Sequence, residues 1–188
     1  MNRIRTAAAI LVLAAAATPA LAEQDRNATN SIFLEGGGPG LAYSLNYERI
    51  FENDFGLRVG FSYLSVSGTA SAGTSTANGT ISMWTVPVLV NYLGVNWGNH
   101  SLELGGGATV VGLDGAGSMG AFAASGSGTL VLGTAIFGYR RQPPGGGFQF
   151  RIGLEALVGK GLALSDSNRD PDKVGVLPWM YMSLGFSL

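Results

Sequence analysis

The stretch Leu41–Val66, LAYSLNYERIFENDFGLRVGFSYLSV, contains the pattern that decides the fold. Large apolar and aromatic side chains occupy every second position, first on one side of the turn-forming residues 52–54 and then on the other. The apolar set is Leu41, Tyr43, Leu45 and Tyr47, followed by Phe55, Leu57, Val59, Phe61 and Tyr63. This period of two predicts a β-hairpin with one apolar face and one polar face.

The polar face of this hairpin suggests which kind of sheet it belongs to. It contains Glu48 and Arg58 among Gly, Ser and Asn residues, as the interior of a small transmembrane barrel does. A soluble sheet that is buried on one side would show the same alternation. The rest of the chain must therefore decide which face points inward.

The first 22 residues predict export. Arg3 and Arg5 precede an apolar run from Ala7 to Ala17, and Ala20-Leu21-Ala22 matches a cleavage site. We therefore expect a signal peptide at residues 1–22, a flexible lead at 23–30 and a barrel domain at 31–188. This organisation is typical of a Gram-negative outer-membrane protein.

Composition excludes several classes of protein. The eleven Lys and Arg residues nearly balance the twelve Asp and Glu residues, so no basic surface for nucleic acid is expected. The chain has no cysteine, so disulfides cannot stabilise it after export. No stretch after the signal has the 18 or so consecutive apolar residues of a transmembrane helix, so a β-barrel is the membrane fold that is left.

Period-two segments recur eight times. The predicted strands are about Ser31–Gly36, Leu41–Phe51, Phe55–Val66, Ile81–Leu93, Ser101–Leu113, Gly128–Arg141, Phe148–Val158 and Val176–Leu188. Short connections follow the second, fourth and sixth strands. Long ones rich in Gly, Ser or charge follow the third, fifth and seventh, at 67–80, 114–127 and 159–175, and the first two of these predict mobile loops. An even strand number with alternating short and long connections predicts an all-β, eight-stranded antiparallel up-and-down transmembrane barrel with outward-facing long loops.

Aromatic residues mark both ends of the predicted apolar band. Tyr47, Phe55, Tyr92, Phe137, Tyr139, Phe148 and Phe186 fall near the short turns, and Tyr43, Phe61, Tyr63 and Trp84 lie toward the long loops. Two girdles of rings are typical of a barrel that meets a membrane interface on each side.

Four segments together resemble a known family. They are SLNYERIF, FGLRVGFSY, GYRRQPPGGGFQFRIGLEAL and LPWMYMSLGFSL, at residues 44–51, 55–63, 138–157 and 177–188. They are similar to small, largely uncharacterised bacterial outer-membrane β-barrel proteins, with the architecture of outer membrane protein X and its attachment and invasion relatives. The resemblance implies the fold and the location, and it implies no particular activity.

Seven charged residues fall on the predicted inward face: Glu35, Glu48, Arg58, Glu103, Arg140, Arg151 and Glu155. Ionised groups away from water are costly unless they are paired, so we expect a salt-bridged network that fills the lumen. An eight-stranded barrel leaves an interior that side chains just fill, which disfavours an open pore.

The residues that could form a catalytic or metal site show weaker patterns. The one histidine, His100, falls in a short turn, on the side opposite to the expected position of an outer-leaflet catalyst. Asp166, Asn168, Asp170 and Asp172 match alternate positions of a calcium loop, but Pro171 replaces the glycine and Leu177 the final glutamate. We expect no cofactor, no metal site and no catalytic residue. Pro87 lies within the fourth strand, where a break in the ladder is expected.

The sequence favours a non-enzymatic, monomeric outer-membrane barrel with a structural or surface-interaction role. Its expected partners are membrane lipid, lipopolysaccharide and the barrel-assembly machinery, and no nucleic acid. One alternative is a narrow transporter or channel, or a lipid-active enzyme, in the same membrane. A second is a soluble lipocalin-like barrel that binds an apolar ligand, which requires the apolar face to point inward.

Overall fold

The computed structural model describes residues 25–72, 75–119, 122–160, 162 and 174–188. The strands are β1 (Asn30–Gly37), β2 (Tyr43–Phe51), β3 (Phe55–Ala72), β4 (Ser75–Trp97), β5 (His100–Met119), β6 (Phe122–Ser125), β7 (Gly128–Arg141), β8 (Gly147–Lys160) and β9 (Val174–Ser187). The predicted signal peptide lies outside the described residues. So do the four calcium-loop positions of the last long connection. No helix in the described ranges is long and apolar enough to cross a membrane.

Eight of these strands close into a barrel. The order is β4-β3-β2-β1-β9-β8-β7-β5, each pair is antiparallel, and β5 pairs with β4 to complete the ring. The predicted fold class is confirmed. The remaining strand, β6, pairs with the last residues of β5 and with no other strand in the described part of the chain, so it projects beyond one end of the barrel.

The two ends of the barrel differ. At one end are the tight turns at 52–54, 98–99 and 142–146, together with Asn30 and the C-terminus; we call this the short-turn end. At the other end are the projecting parts of the hairpins β3–β4 and β5–β6, the last residues of β8 and the first residues of β9; we call this the hairpin end. This division follows the predicted pattern of short and long connections.

For two of the long connections, the prediction of a mobile loop was wrong. Residues 67–72 and 75–80 continue the β3–β4 ladder as far as the pair Ala72–Ser75, and residues 116–119 and 122–125 pair as the β5–β6 hairpin. The prediction relied on the lack of apolar residues to bury. A hairpin that projects beyond the barrel needs no buried face, because its backbone ladder and cross-strand hydroxyl pairs such as Ser67–Thr80 at 3.0 Å hold it.

The connection between β1 and β2 also differs from expectation. The second strand begins at Tyr43 and not at Leu41, and residues Gly38–Gly40 form one 3-10 turn that is buried. Leu41 has a φ of 69° and is 6% exposed, so it points into the barrel and not outward with Tyr43. Glycines at 37 and 38, both with positive φ, allow the tip of this hairpin to bend inward.

Pro87 interrupts the ladder as expected. Pairing between β3 and β4 is present at Val59–Val88 and resumes at Ser62–Thr85, with no pairs between them. Proline has no N–H to donate, so the two strands lose their bonds at this point without a change of register. The other side of β4 keeps its pairing, including Pro87 with Thr109.

Candidate functional site: a charged lumen in an apolar barrel

The outer wall of the barrel is apolar over most of its height. Leu154 is 63% exposed, Val131 61% and Leu45 58%, and their strand neighbours on the same face are similarly exposed. Leu, Val, Ile, Met and aromatic side chains therefore cover the outside. This polarity is the reverse of that of a water-soluble domain, in which such side chains are mostly buried.

The predicted aromatic residues all point to this outer face. Near the short-turn end lie Tyr47, Phe55, Tyr92, Phe137, Phe148 and Phe186, all exposed, and the half-buried Tyr139; toward the hairpin end lie Tyr43, Phe61 and Tyr63, all exposed, and the half-buried Trp84. Two neighbouring pairs at the short-turn end are in ring contact, Phe55 with Tyr92 and Phe148 with Phe186. The rings thus lie toward both ends of the apolar wall.

Arg140 of β7 makes the central contacts of a charged network in the short-turn half of the lumen. Its Nη1 donates to Glu48 Oε2 at 2.5 Å and its Nη2 donates to Glu103 Oε1 at 2.6 Å. Glu48 belongs to β2, which lies four strands from β7 around the ring in either direction, so this bond crosses the full width of the lumen. Asn91 adds a bond to Glu48 Oε1 at 2.6 Å. None of these charged side chains is exposed.

Two further arginines extend the network. Arg151 donates to both oxygens of Glu103, with Nε at 2.9 Å from Oε2, and Arg58 pairs with Glu35. Phe33 lies between them, with its ring centroid 4.4 Å from the Arg151 guanidinium carbon and 5.1 Å from that of Arg58. An aromatic face next to a cation is stabilising in a site that excludes water.

The structure brings six of the seven predicted inward charges into paired contacts, and Glu155 is the exception. Glu155 is 3% exposed, and neither of its carboxylate oxygens has a hydrogen-bond partner among the described residues. Sequence reasoning did not select the neutral partners Asn46, Asn91, Gln142 and Tyr181, which bond to the charged groups. Their inward parity on the strands was the available indication.

The described part of the N-terminal lead lies across the short-turn mouth. Arg26 donates from its backbone and side chain to Asn53, and its Nη2 donates to Ser101 at 3.2 Å. The N–H of Ala28 donates to the carbonyl of Pro144 at 2.9 Å. Burial lowers the pKa of Arg26 from its ordinary value, and the nearby Arg140 lowers this pKa further. Residues 25–29 are therefore held in place, where the sequence predicts a flexible lead.

The hairpin half of the lumen is apolar. Leu41, Met83, Val111, Leu113, Leu132, Leu157, Leu162 and Leu177 form one buried cluster. The inward-bent tip of the β1–β2 hairpin lies beside this cluster, where the carbonyl of Pro39 accepts from Thr109 and that of Gly40 accepts from Ser62. The lumen therefore contains two different fillings, one ionic and one apolar.

His100 lies at the short-turn end, between two aromatic side chains. Its Nδ1 is 2.5 Å from the hydroxyl of Tyr139, and its ring stacks between those of Trp97 and Tyr139. No group of three or more His, Cys, Asp or Glu residues within the described ranges could hold a metal ion.

Comparison with known proteins gives structural neighbours only. No family model matches the chain, and no curated protein does. The crystal structure of Ail, the attachment invasion locus protein of Yersinia pestis, in complex with the heparin analogue sucrose octasulfate is 17% identical, with a TM-score of 0.45. A second crystal structure of Ail is 16% identical, with a TM-score of 0.41. Each match covers 85% of this chain and 97% of the Ail chain.

Proposed function

We propose that this chain is a non-enzymatic barrel of the bacterial outer membrane, with a structural or surface-interaction role carried by its hairpin end. The observation that supports the location is the reversed polarity, with apolar side chains outside and paired charges inside. A contiguous apolar wall of this extent would associate in water, whereas lipid solvates it. Lipid, lipopolysaccharide and the barrel-assembly machinery are the partners that follow from this location.

The interaction role is supported by the two hairpins that project at the hairpin end, β3–β4 and β5–β6. Beyond the barrel wall, the part of β3 nearest the hairpin end pairs only with β4, and β6 pairs only with β5, among the residues that the structure describes. A strand with one unpaired edge offers backbone N–H and C=O groups to another extended chain. In place of the first two predicted contact loops, the structure thus has two projecting hairpins with unpaired strand edges.

The transporter alternative is disfavoured by the contents of the lumen. The Glu48–Arg140 bond crosses its width, the Pro39–Gly40 tip crosses it nearer the hairpin end, and Arg26 lies at the short-turn mouth. Each would have to move before a solute could pass.

The contacts of the described residues do not favour the two remaining alternatives. A lipid-active enzyme needs a nucleophile with a base, whereas the His100 ring lies against the aromatic side chains of Trp97 and Tyr139. A lipocalin-like barrel needs the Leu45–Phe61 face inside, and both side chains are more than half exposed on the outside.

Cell fractionation tests the location. The chain should sediment with outer membranes and migrate faster on an unheated gel than on a heated one, because a closed backbone ladder resists detergent until it is boiled. Recovery from the periplasm without detergent would refute the proposal.

Epitope accessibility and conductance test the role. A tag inserted between Ala72 and Ser75 should be accessible on intact cells, and a matched tag in the turn at 98–99 should not. The purified protein should give no steady conductance in planar bilayers. Stable ion conductance would favour the transporter alternative instead.

A further inference from the structure

An elongated groove lies on the outer wall beside β9. It runs from Pro178 to Leu184 along β9 and is bordered by Ile152 and Leu154 of β8 and by Leu34 and Tyr43 on the other side. We call it the β9 groove. Its volume is about 1,080 Å³, at the upper end of the range for small-molecule sites.

Gly36 forms the floor of this groove. It pairs with Tyr43 on one side and with Met182 on the other, and an added Cβ would find no atom within 4 Å. Because Gly36 has no side chain, a furrow lies between the large side chains of Tyr43 and Met182. At the hairpin end of the groove β1 stops pairing at Gly37–Tyr181, so Pro178 and Met180 have a strand neighbour only on the β8 side among the described residues.

The chemistry of the lining is that of a hydrocarbon site. Outward-facing Leu, Ile, Met, Pro and Tyr side chains provide most of it. The one charged lining residue, Glu35, is fully buried beneath the wall and paired with Arg58. Met180 and Met182 are unbranched and adaptable, so they can follow the shape of a flexible chain.

The shape of the groove selects an acyl chain over a compact ligand. Six residue steps along β9 at about 3.3 Å each give a length of roughly 20 Å. With strands tilted by about 40°, this length spans roughly 15 Å of membrane depth, which is half of a hydrocarbon core of about 30 Å. Outward-facing side chains of β1, β2, β8 and β9 border the groove, so it is continuous with the apolar outer wall, from which a chain can enter sideways.

We propose that the β9 groove retains the acyl chains of one membrane lipid, more tightly than the rest of the outer wall contacts lipid. This inference rests on the proposed membrane location. Trp179, which also lines the groove and donates from Nε1 to the carbonyl of Leu41 at 3.1 Å, lies beside the retained chain and can report on it. Trp84, on the outer face across the barrel, reports on ordinary lipid contact.

Quenching by brominated lipid tests the proposal. One variant keeps only Trp179 (Trp84→Phe, Trp97→Phe) and another keeps only Trp84 (Trp97→Phe, Trp179→Phe). Each is reconstituted in phosphatidylcholine vesicles that contain an increasing fraction of phosphatidylcholine brominated on its acyl chains. We expect quenching of both reporters, and slower exchange of the quenching lipid at Trp179 when unbrominated vesicles are added in excess.

A glycine substitution provides the matched comparison. Gly36→Leu fills the groove without a clash at Cβ, so the slow exchange at Trp179 should be lost while Trp84 is unaffected. Gly106→Leu adds the same side chain at another outward glycine, on β5, where the nearest atom is 3.6 Å from an added Cβ. This control should leave both reporters unchanged.

The outcomes separate this inference from the proposed location. If neither tryptophan is quenched, the chain is not embedded in lipid, and the proposed function fails. If Trp84 is quenched and Trp179 exchanges as fast as Trp84, or if Gly36→Leu changes nothing, only the groove proposal is overturned. A quenched Trp84 with an unquenched Trp179 in a species of twice the mass would assign the groove to a second copy and also overturn it.

Discussion

Replacing Arg140 by leucine should be the most damaging single change in the lumen. Arg140 makes four hydrogen bonds, two of them to Glu48, one to Glu103 and one to Gln142. Without it, Glu103 keeps Arg151, whereas Glu48 keeps only the amide of Asn91. One buried carboxylate is then left without a counter-charge, which costs about 3–5 kcal/mol of the free energy of unfolding.

Replacing Glu48, the acid that pairs with Arg140, should cost less than replacing Arg140. In Glu48→Leu, Arg140 and Arg151 share the carboxylate of Glu103, so each remaining charge keeps an oppositely charged partner in direct contact, and a loss of about 1–3 kcal/mol is expected from the unmade bonds. The double variant removes one acid and one base together. Its cost should be smaller than the sum of the two single costs by on the order of 2 kcal/mol, because the pair acts as a unit.

Equilibrium unfolding in lipid vesicles measures these differences. Urea titrations followed by tryptophan fluorescence give the free energy by linear extrapolation, under conditions in which the unfolding and refolding curves coincide. Arg49→Leu is the matched control, because Arg49 is the exposed neighbour of Glu48 on β2 and should change the stability by less than about 0.5 kcal/mol. If Arg140→Leu cost no more than Arg49→Leu, or if the single costs simply added, the cross-lumen pair would not stabilise the barrel.

Three further predictions test the facing, the packing and the mouth of the barrel. Leu154→Arg should cost about 2–4 kcal/mol in the same titration because it places a charge against lipid, and an unchanged stability would contradict the outward facing. Gly107→Ala should lower the free energy of unfolding by about 1–3 kcal/mol, since the added Cβ would lie 2.0 Å from the carbonyl oxygen of Val88. Gly106→Ala should not lower it, because the nearest atom to a Cβ added there is 3.6 Å away. Arg26→Ala should accelerate hydrogen exchange of the Ala28 amide at the short-turn mouth, and Asn27→Ala, which removes an exposed side chain, should leave that exchange rate unchanged.

Strand pairing was predictable because it depends on a local pattern. Alternation along Tyr43–Phe51 and Phe55–Val66 identifies the two faces of each strand, and a sheet that faces lipid must close because an unpaired edge there is costly. The inward parity of the charged residues followed from the same alternation. The sequence could not predict which acid pairs with which base, because the Glu48–Arg140 pair depends on the diameter and stagger of the closed barrel.

The errors have a common physical origin. Residues 67–72 and 75–80 were assigned to a loop because they contain too few apolar side chains to bury, yet a projecting hairpin buries nothing. Leu41 was assigned to the outer face because it continues the period of two, although the positive φ at Gly37 and Gly38 ends the strand first. Periodicity predicts facing only while the chain remains a strand.

Because side chains fill the lumen, we place the functional surfaces on the outside of the barrel and at its hairpin end. The inward positions of the short-turn half form the ionic network, and those of the hairpin half form the apolar cluster around the β1–β2 tip. A short β1–β2 hairpin has two consequences at once: its tip bends in to cover the cluster, and its early end leaves one side of β9 without a partner strand beyond Tyr181. The inward bend that fills the lumen thus also shapes the wall where the β9 groove lies, so a change at Gly37, where the bend begins, affects lumen and wall together, whereas a change at the outward-facing Gly36 affects the wall alone.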